Sequence, residues 1–379
     1  MDGAILAEWE ACVNRILLLR IMMVASISTA SAVLTGTTLA HGQASPAASD
    51  VQLSVPLKLD RVDPAIDAIV PADAKLERVA NGFTWTEGPI WTNGGLYFAD
   101  IPSNSIRKWT PGAGVSIFLQ PSGYKGSAPY GGPESGSNGM TLDARGRLTV
   151  AGHAQRNVYR FESLSPNGPI TVLADSYKGK RLDSPNDLVY RSDGSLYFTD
   201  PPYGLRTQKD NDPDKQLKVN GVYRLPHALD RKPGSPPANS ELQLLVSDLT
   251  RPNGIAFSPD EKYLYVDNSE PEKIWMRYRV RPDGSLTEPT VLYDATSDKL
   301  TGAPDGMKLD MQGNIYSAGP GGVFIFSPEG KALGRIEMPE RTANLAWAGD
   351  DRKTLYITAS SGVYRVQLKI AGEPIIQGK

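Results

Sequence analysis

Along this chain, short apolar runs return repeatedly, each directly after a turn rich in Asp, Asn and Gly. The unit reads Thr92-Asn93-Gly94-Gly95-Leu96-Tyr97-Phe98, then Asp143-Ala144-Arg145-Gly146-Arg147-Leu148-Thr149-Val150, then Ser192-Asp193-Gly194-Ser195-Leu196-Tyr197-Phe198. It continues as Pro259-Asp260-Glu261-Lys262-Tyr263-Leu264-Tyr265-Val266, Asp310-Met311-Gln312-Gly313-Asn314-Ile315-Tyr316 and Asp350-Asp351-Arg352-Lys353-Thr354-Leu355-Tyr356-Ile357. Such turns between apolar runs are hairpin signals. A further β-rich run follows each hairpin, at residues 106–109, 158–161, 222–225, 274–278, 323–326 and 363–366. No segment with helical periodicity interrupts them. Repetition of one unit is a statement about architecture before it is one about local structure. Six β units, with the anchors Leu96, Leu148, Leu196, Leu264, Ile315 and Leu355 spaced 40–68 residues apart, predict an all-β fold. The expected form is a six-bladed β-propeller with four-stranded blades over residues 76–379. Residues 76–80 are expected to close the ring beside the last blade. A β-sandwich or a β-helix would not account for six hairpin-plus-strand units with long, variable connectors.

A second pattern is polar. Glu87 lies nine residues before its anchor, Asn138 and Asn186 ten, Asn253 eleven, Asp305 ten and Asn344 eleven. In a propeller the strand entering each hairpin is the innermost, so these six residues should meet near the axis on one face. Asn138-Gly139, Asn253-Gly254 and Asp305-Gly306 are each ordinary turn dipeptides taken alone. Turn chemistry does not require one phase in all six units, and it leaves Glu87 unexplained. The ends of the second strands return to the same face. They carry Asp100, His153, Asp200 and Asn268, with Tyr203 just beyond, and are expected to line a cup for a hydroxylated ligand.

Composition narrows the chemistry. The 379 residues include 40 Lys plus Arg, 42 Asp plus Glu, three His and one Cys. A net charge of -2 gives no footprint for nucleic acid or an anionic membrane. One thiol excludes an intrachain disulfide framework and a Cys-rich zinc site. Arg15 and Arg20 precede an uncharged, small-residue stretch from residue 21 to residue 40 that ends near Ala44. Residues 1–44 therefore read as a secretory signal peptide, with an uncleaved anchor helix as the alternative. Cleavage there would remove Cys12 and His41, as suits a periplasmic or secreted protein. Residues 45–75 read as a linker and N-terminal arm. A ring of carboxylate and amide oxygens without His or Cys describes one divalent, hard-cation site: Ca²⁺ first, with Mg²⁺ or Zn²⁺ as alternatives.

These residues resemble the gluconolactonase / senescence-marker-protein (regucalcin-like) family of propeller lactonases, in its bacterial gluconolactonase branch. The resemblance is carried by Thr86-Glu87-Gly88-Pro89, Ser184-Pro185-Asn186-Asp187-Leu188, Phe198-Thr199-Asp200-Pro201-Pro202-Tyr203-Gly204, Arg251-Pro252-Asn253-Gly254 and Pro304-Asp305-Gly306-Met307. It implies a metal quartet of Glu87, Asn186, Asn253 and Asp305, with Asp305 as general base or nucleophile. Asn138 then falls to substrate hydroxyl contacts, beside His153, Tyr203 and Asn268, and Asn344 to a structural role. The implied activity is hydrolysis of a small sugar lactone, D-glucono-1,5-lactone first. Water activated by Asp305 and direct attack by its carboxylate both remain open. Another lactone, ester or organophosphate hydrolase, or a non-catalytic binding propeller, are the alternatives. No Gly-x-Ser-x-Gly elbow supports a serine esterase. The insertions at residues 121–137 and 206–220 read as lids or an oligomer contact, on a monomer or small homo-oligomer.

Overall fold

The structure, a computed structural model, describes residues 50–374. The expected signal peptide lies outside the described residues. Among the described residues, six antiparallel sheets of four or five strands follow one another along the chain, besides a two-stranded ribbon of Ser176–Tyr177 and Lys180–Arg181. Blade 1 holds Thr86–Thr92, Gly95–Asp100, Ser105–Thr110 and Gly114–Leu119, from inner to outer edge. Blade 2 holds Met140–Leu142, Leu148–Gly152, Asn157–Phe161 and Ile170–Ala174, and blade 3 Leu188–Tyr190, Leu196–Asp200, Gly221–Leu225 and Gln243–Val246. Blade 4 holds Pro252–Phe257, Tyr263–Asn268, Ile274–Val280 and Leu286–Asp294. Blade 5 holds Met307–Leu309, Ile315–Gly319, Gly322–Phe326 and Ala332–Glu337. Blade 6 takes Thr342–Ala348, Thr354–Ala359 and Gly362–Gln367 from the C-terminal part and Lys75–Asn81 from the N-terminal part. The pairing of Val363 with Ala80 and Arg365 with Glu77 closes the ring, as residues 76–80 predicted.

The second strand of every blade is largely buried on both faces because a neighbouring blade covers each side. Gly95–Asp100 and Leu196–Asp200 are buried at every position. That is why their sequences read as continuous runs rather than alternations. The apolar side chains form six clusters, one per blade–blade interface. Ile90, Tyr97 and Ile106 pack on Met140, Leu148 and Tyr159, for instance, and Val363 and Tyr356 pack on Leu96, Phe98 and Trp109. Each fully buried large side chain contributes about 1.5–3 kcal/mol relative to exposure.

The segment before Lys75, read as linker and arm, is built into the fold from Leu53 onward. Leu53–Pro56 adds a fifth strand to blade 6 and Leu59–Arg61 a fifth to blade 5. The 3₁₀ turn Pro64–Ala68, capped by the Asp63 side chain on Ala65 N, sets Ile66, Ile69 and Val70 between those two blades. Ile66 is fully buried there. The sequence hid this because three apolar residues in a polar segment carry no strand periodicity. At the other end, Glu373 N donates to Leu309 O and Gly372 N to Arg352 O, so the last described residues cross one end of the central channel. Among the described residues, no helix is long and apolar enough to cross a membrane.

Candidate active site

All six register positions meet at the other end of that channel. Glu87, Asn253 and Asn344 lie in the first residues of the inner strands of blades 1, 4 and 6. Asn138, Asn186 and Asp305 lie two residues before those of blades 2, 3 and 5. All six are buried. Contacts run from each blade to the next. An added Cβ on Gly88 would stand 2.3 Å from Asn138 O, one on Gly139 2.5 Å from Asn186 O, and one on Gly254 2.3 Å from Asp305 O. Thr199 Oγ1 donates to Asn253 O at 2.7 Å, and a Cβ on Gly306 would overlap the Asn344 amide. Asn344 Nδ2 then donates to Glu87 Oε2 at 3.1 Å and completes the circle. The glycines after Asn138 and Asn253 are thus required by the approach of neighbouring backbones around the axis, Gly88 by such an approach and by its φ of 52°, and Gly306 by the Asn344 side chain.

Glu87, Asn138, Asn186, Asn253 and Asp305 line one cavity of about 410 Å³, with Tyr203, Trp85, Glu134, Gln208, Ser269 and Arg341 around its wall. That volume suits a small polar ligand. Asn344 does not line it; its Nδ2 reaches Glu87 and, at 3.4 Å, Asp187 Oδ2, which fits the structural role. His153 sits fully buried behind the wall, its Nε2 2.7 Å from Glu134 Oε2 and its Nδ1 3.3 Å from Pro185 O. It reaches the cavity only through Glu134. Asn268 is also outside the lining. Its Oδ1 accepts from Arg251 N at 2.7 Å and its Nδ2 donates to Glu272 O at 2.7 Å. Asp100 holds Thr84 N and Trp85 N, and Asp200 holds Asp183 N and Ser184 N. These strand-end residues fasten the loop that leads into their own blade's inner strand.

The electrostatics are those of crowded carboxylates. Burial, with Asp187 and Glu134 nearby, pushes Glu87 up to about 7, against the Gly88 N–H that it accepts at 2.6 Å. Burial and the charges of Glu87, Asp267 and Asp187 hold Asp305 well above the usual aspartate range, and Arg341 opposes them. Asp187 and Asp267 are also raised, chiefly by burial, and Lys308 opposes the shift in both. Sequence reasoning missed Asp187, Asp267, Lys308, Arg341 and Glu134. For the first two a signal existed. Asp187 stands where four other blades have Gly, and Asp267 stands at the register position held elsewhere by Ala99, Ala151, Thr199, Ala318 and Thr358.

The donor set fits a hard divalent cation. Asn253 Nδ2 donates to Ser269 Oγ at 3.0 Å, and Ser269 Oγ donates onward to Pro304 O at 2.8 Å. That chain fixes the amide and leaves Asn253 Oδ1 buried without a hydrogen-bond partner; Asn138 Oδ1 is in the same state. Such an orphaned oxygen carries a desolvation cost of about 1–3 kcal/mol unless something meets it. Among the described residues no three His, Cys, Asp or Glu side chains converge as a metal group. A site here would combine two carboxylates with amide oxygens, as Ca²⁺ accepts.

The ring and its cup define a six-bladed propeller with a polar, small-ligand site at one mouth of the channel. The chain belongs to the SMP-30/Gluconolactonase/LRE-like family, whose pattern it matches over residues 85–361. It is 39% identical to the gluconolactonase of Zymomonas mobilis over 358 residues, 92% of this chain and 96% of that one. A solved gluconolactonase from Xanthomonas campestris aligns at 30% identity with a TM-score of 0.69, covering 84% of this chain and 98% of the other. Regucalcin of Agrobacterium tumefaciens, described as a calcium-binding protein, shares the fold at 18% identity and a TM-score of 0.58, over 78% and 94% of the two chains.

Proposed function

We propose that the protein hydrolyses a sugar lactone, D-glucono-1,5-lactone first, using one divalent cation, Ca²⁺ ahead of Zn²⁺ or Mg²⁺. The observation that carries this reading is the ring itself: two carboxylates and buried amide oxygens, one left without a partner by its own support, at the base of a cup of about 410 Å³. Membership of a family whose relatives include gluconolactonases supports it. Glu87, Asn186, Asn253 and Asp305 would hold the cation. Bound there, it supplies Lewis-acid polarisation of the lactone carbonyl.

The remaining work falls to the chain's own groups. Asp305 Oδ1 accepts from Gly306 N at 3.1 Å, which fixes its carboxylate at the cup floor. It takes the proton of the attacking water and returns it to the ring oxygen as the acyl C–O bond breaks. Asn138 and Tyr203 offer amide and phenol contacts to ring hydroxyls. Glu134, held by His153 Nε2 and by Gln208 Nε2 at 3.0 Å, closes the wall formed by the insertion at residues 121–137. We place the reaction in the periplasm or outside the cell, on the strength of the leader reading.

The test is acid release from D-glucono-1,5-lactone with Ca²⁺ and with EDTA, against Asp305→Ala and a panel of aldono- and aliphatic lactones. The reading requires a cation-dependent rate that Asp305→Ala abolishes. A rate indifferent to both would remove it.

A further inference from the structure

A second pocket of about 530 Å³ lies on the other side of the insertion that walls the cup, and shares no lining residue with it. It is lined by Lys125, Arg156, Arg181 and Arg206, with Asp214 as its only carboxylate. The ionisable lining is therefore four cations against one anion, in a chain of net charge -2. Arg156 is the unusual member. It sits in the left-handed region at φ 63° and is only 6% exposed. Left-handed backbone costs a non-glycine residue about 1–2 kcal/mol, so the surroundings must hold it there. Its Nε donates to Leu182 O at 2.7 Å and its Nη1 to Asp214 O at 2.8 Å, while Nη2 is buried without a partner. Its hydrogen bonds thus go to carbonyls, and none goes to a carboxylate.

The charges of Asp183, Asp200 and Asp214 act on Arg156 without a hydrogen bond to their carboxylates. Arg181 Nη2 donates to Gln155 O at 2.8 Å, and Arg206 Nε lies 3.4 Å from Asp214 Oδ2 with both side chains about half exposed. Tyr124 and Tyr130 stand together at 5.1 Å between ring centroids and form an aromatic wall. Tyr130 also hydrogen-bonds Gly204 O, next to Tyr203 of the cup. A buried guanidinium fixed by carbonyls, two exposed guanidiniums and a lysine around one cavity are the elements of oxyanion recognition.

We propose that this pocket binds a multiply charged oxyanion, a phosphate or the phosphate group of a small ester, at a site separate from the lactone cup. A dianion is favoured over a monocarboxylate because several cations must be met together. The pocket is independent of the lactonase reading and is tested without any turnover.

Inorganic phosphate is titrated into the full protein by calorimetry and ³¹P line broadening, with chloride at equal ionic strength as the reference. Saturable one-to-one binding is expected, with gluconate, a monoanion, at least about tenfold weaker. Arg181→Ala with Arg206→Ala should weaken phosphate about tenfold or more. Both positions are exposed, so the fold survives their loss. Asp214→Asn should tighten it, because the competing carboxylate on Arg206 is gone. Absence of saturable phosphate binding would overturn the proposal. So would binding that the double variant leaves unchanged, since that binding would belong to the cup.

Discussion

Gly254→Ala isolates the claim that blade-to-blade contact places the ring. The backbone at Gly254 is not in the left-handed region, so alanine brings no conformational strain of its own. It brings a methyl 2.3 Å from Asp305 O, 3.0 Å from Asp305 C and 2.7 Å from Asp267 Oδ2. Two of these atoms are backbone and cannot swing aside. Restoring ordinary contact at about 3.4 Å requires Asp305 and the Gly254 strand to separate by about 1 Å. Asp305 is tied to Ala318 O through its N–H at 3.3 Å, and Gly306 N to Ala343 O at 2.9 Å, so the strain spreads to blade 6. Overpacking of this kind costs about 1–3 kcal/mol, which lowers Tm by a few degrees in a protein of this size. Misplacement of a reacting group by about 1 Å costs on the order of a hundredfold in rate. The expected signature is therefore a modest fall in Tm, read by calorimetry, with a far larger fall in lactone hydrolysis. Gly94→Asn is the control: its φ of 67° tolerates Asn and nothing lies within 4 Å of the added Cβ. Gly254→Ala with activity within about twofold of the parent would refute the argument that this contact fixes Asp305.

Other expectations follow from the same structure. Ile66→Ala should cost about 2–5 kcal/mol in urea unfolding, since the side chain is fully buried between blades 5 and 6; a surface-like change would show that the arm is not part of the fold. Glu134→Ala should raise KM several-fold while cation affinity, followed by calorimetry, falls far less than in Glu87→Ala, because Glu134 walls the cup and acts on Glu87 only through its charge. Burial, with Glu261, Asp260 and Asp310 adding to it, raises Glu373 to about 8. A raised carboxyl contributes stability that is complete below its ordinary value near 4.5 and is lost as pH rises through about 8. The tail at Gly372 and Glu373 should accordingly become more protease-sensitive as pH rises from about 4.5 to about 8, levelling off above that, and Glu373→Gln should abolish the change. Equal sensitivity of parent and variant would contradict it.

Much of the fold was legible because blade strands repeat. The anchors Leu96, Leu148, Leu196, Leu264, Ile315 and Leu355 are all fully buried, and the turn residues before them are where the hairpins reverse. The six polar positions were legible for the same reason, since a repeated register converts sequence phase into distance from the axis. What surrounds them was not. Arg341, Gln208 and Glu134 come from loops whose path no periodicity encodes, and His153 and Asn268 looked like cup residues while His153 braces Glu134 and Asn268 serves backbone groups.

The sequence by itself determined the number of blades, the strand that closes them and the six residues at the channel mouth, because these depend on period and phase along one chain. Tertiary structure alone decided which of the six face the cavity and which brace it. It also decided why glycine follows four of them and where the charges of Lys308 and Arg341 fall. Those outcomes depend on how far one blade stands from the next, a distance set by packing across six interfaces rather than by any local pattern.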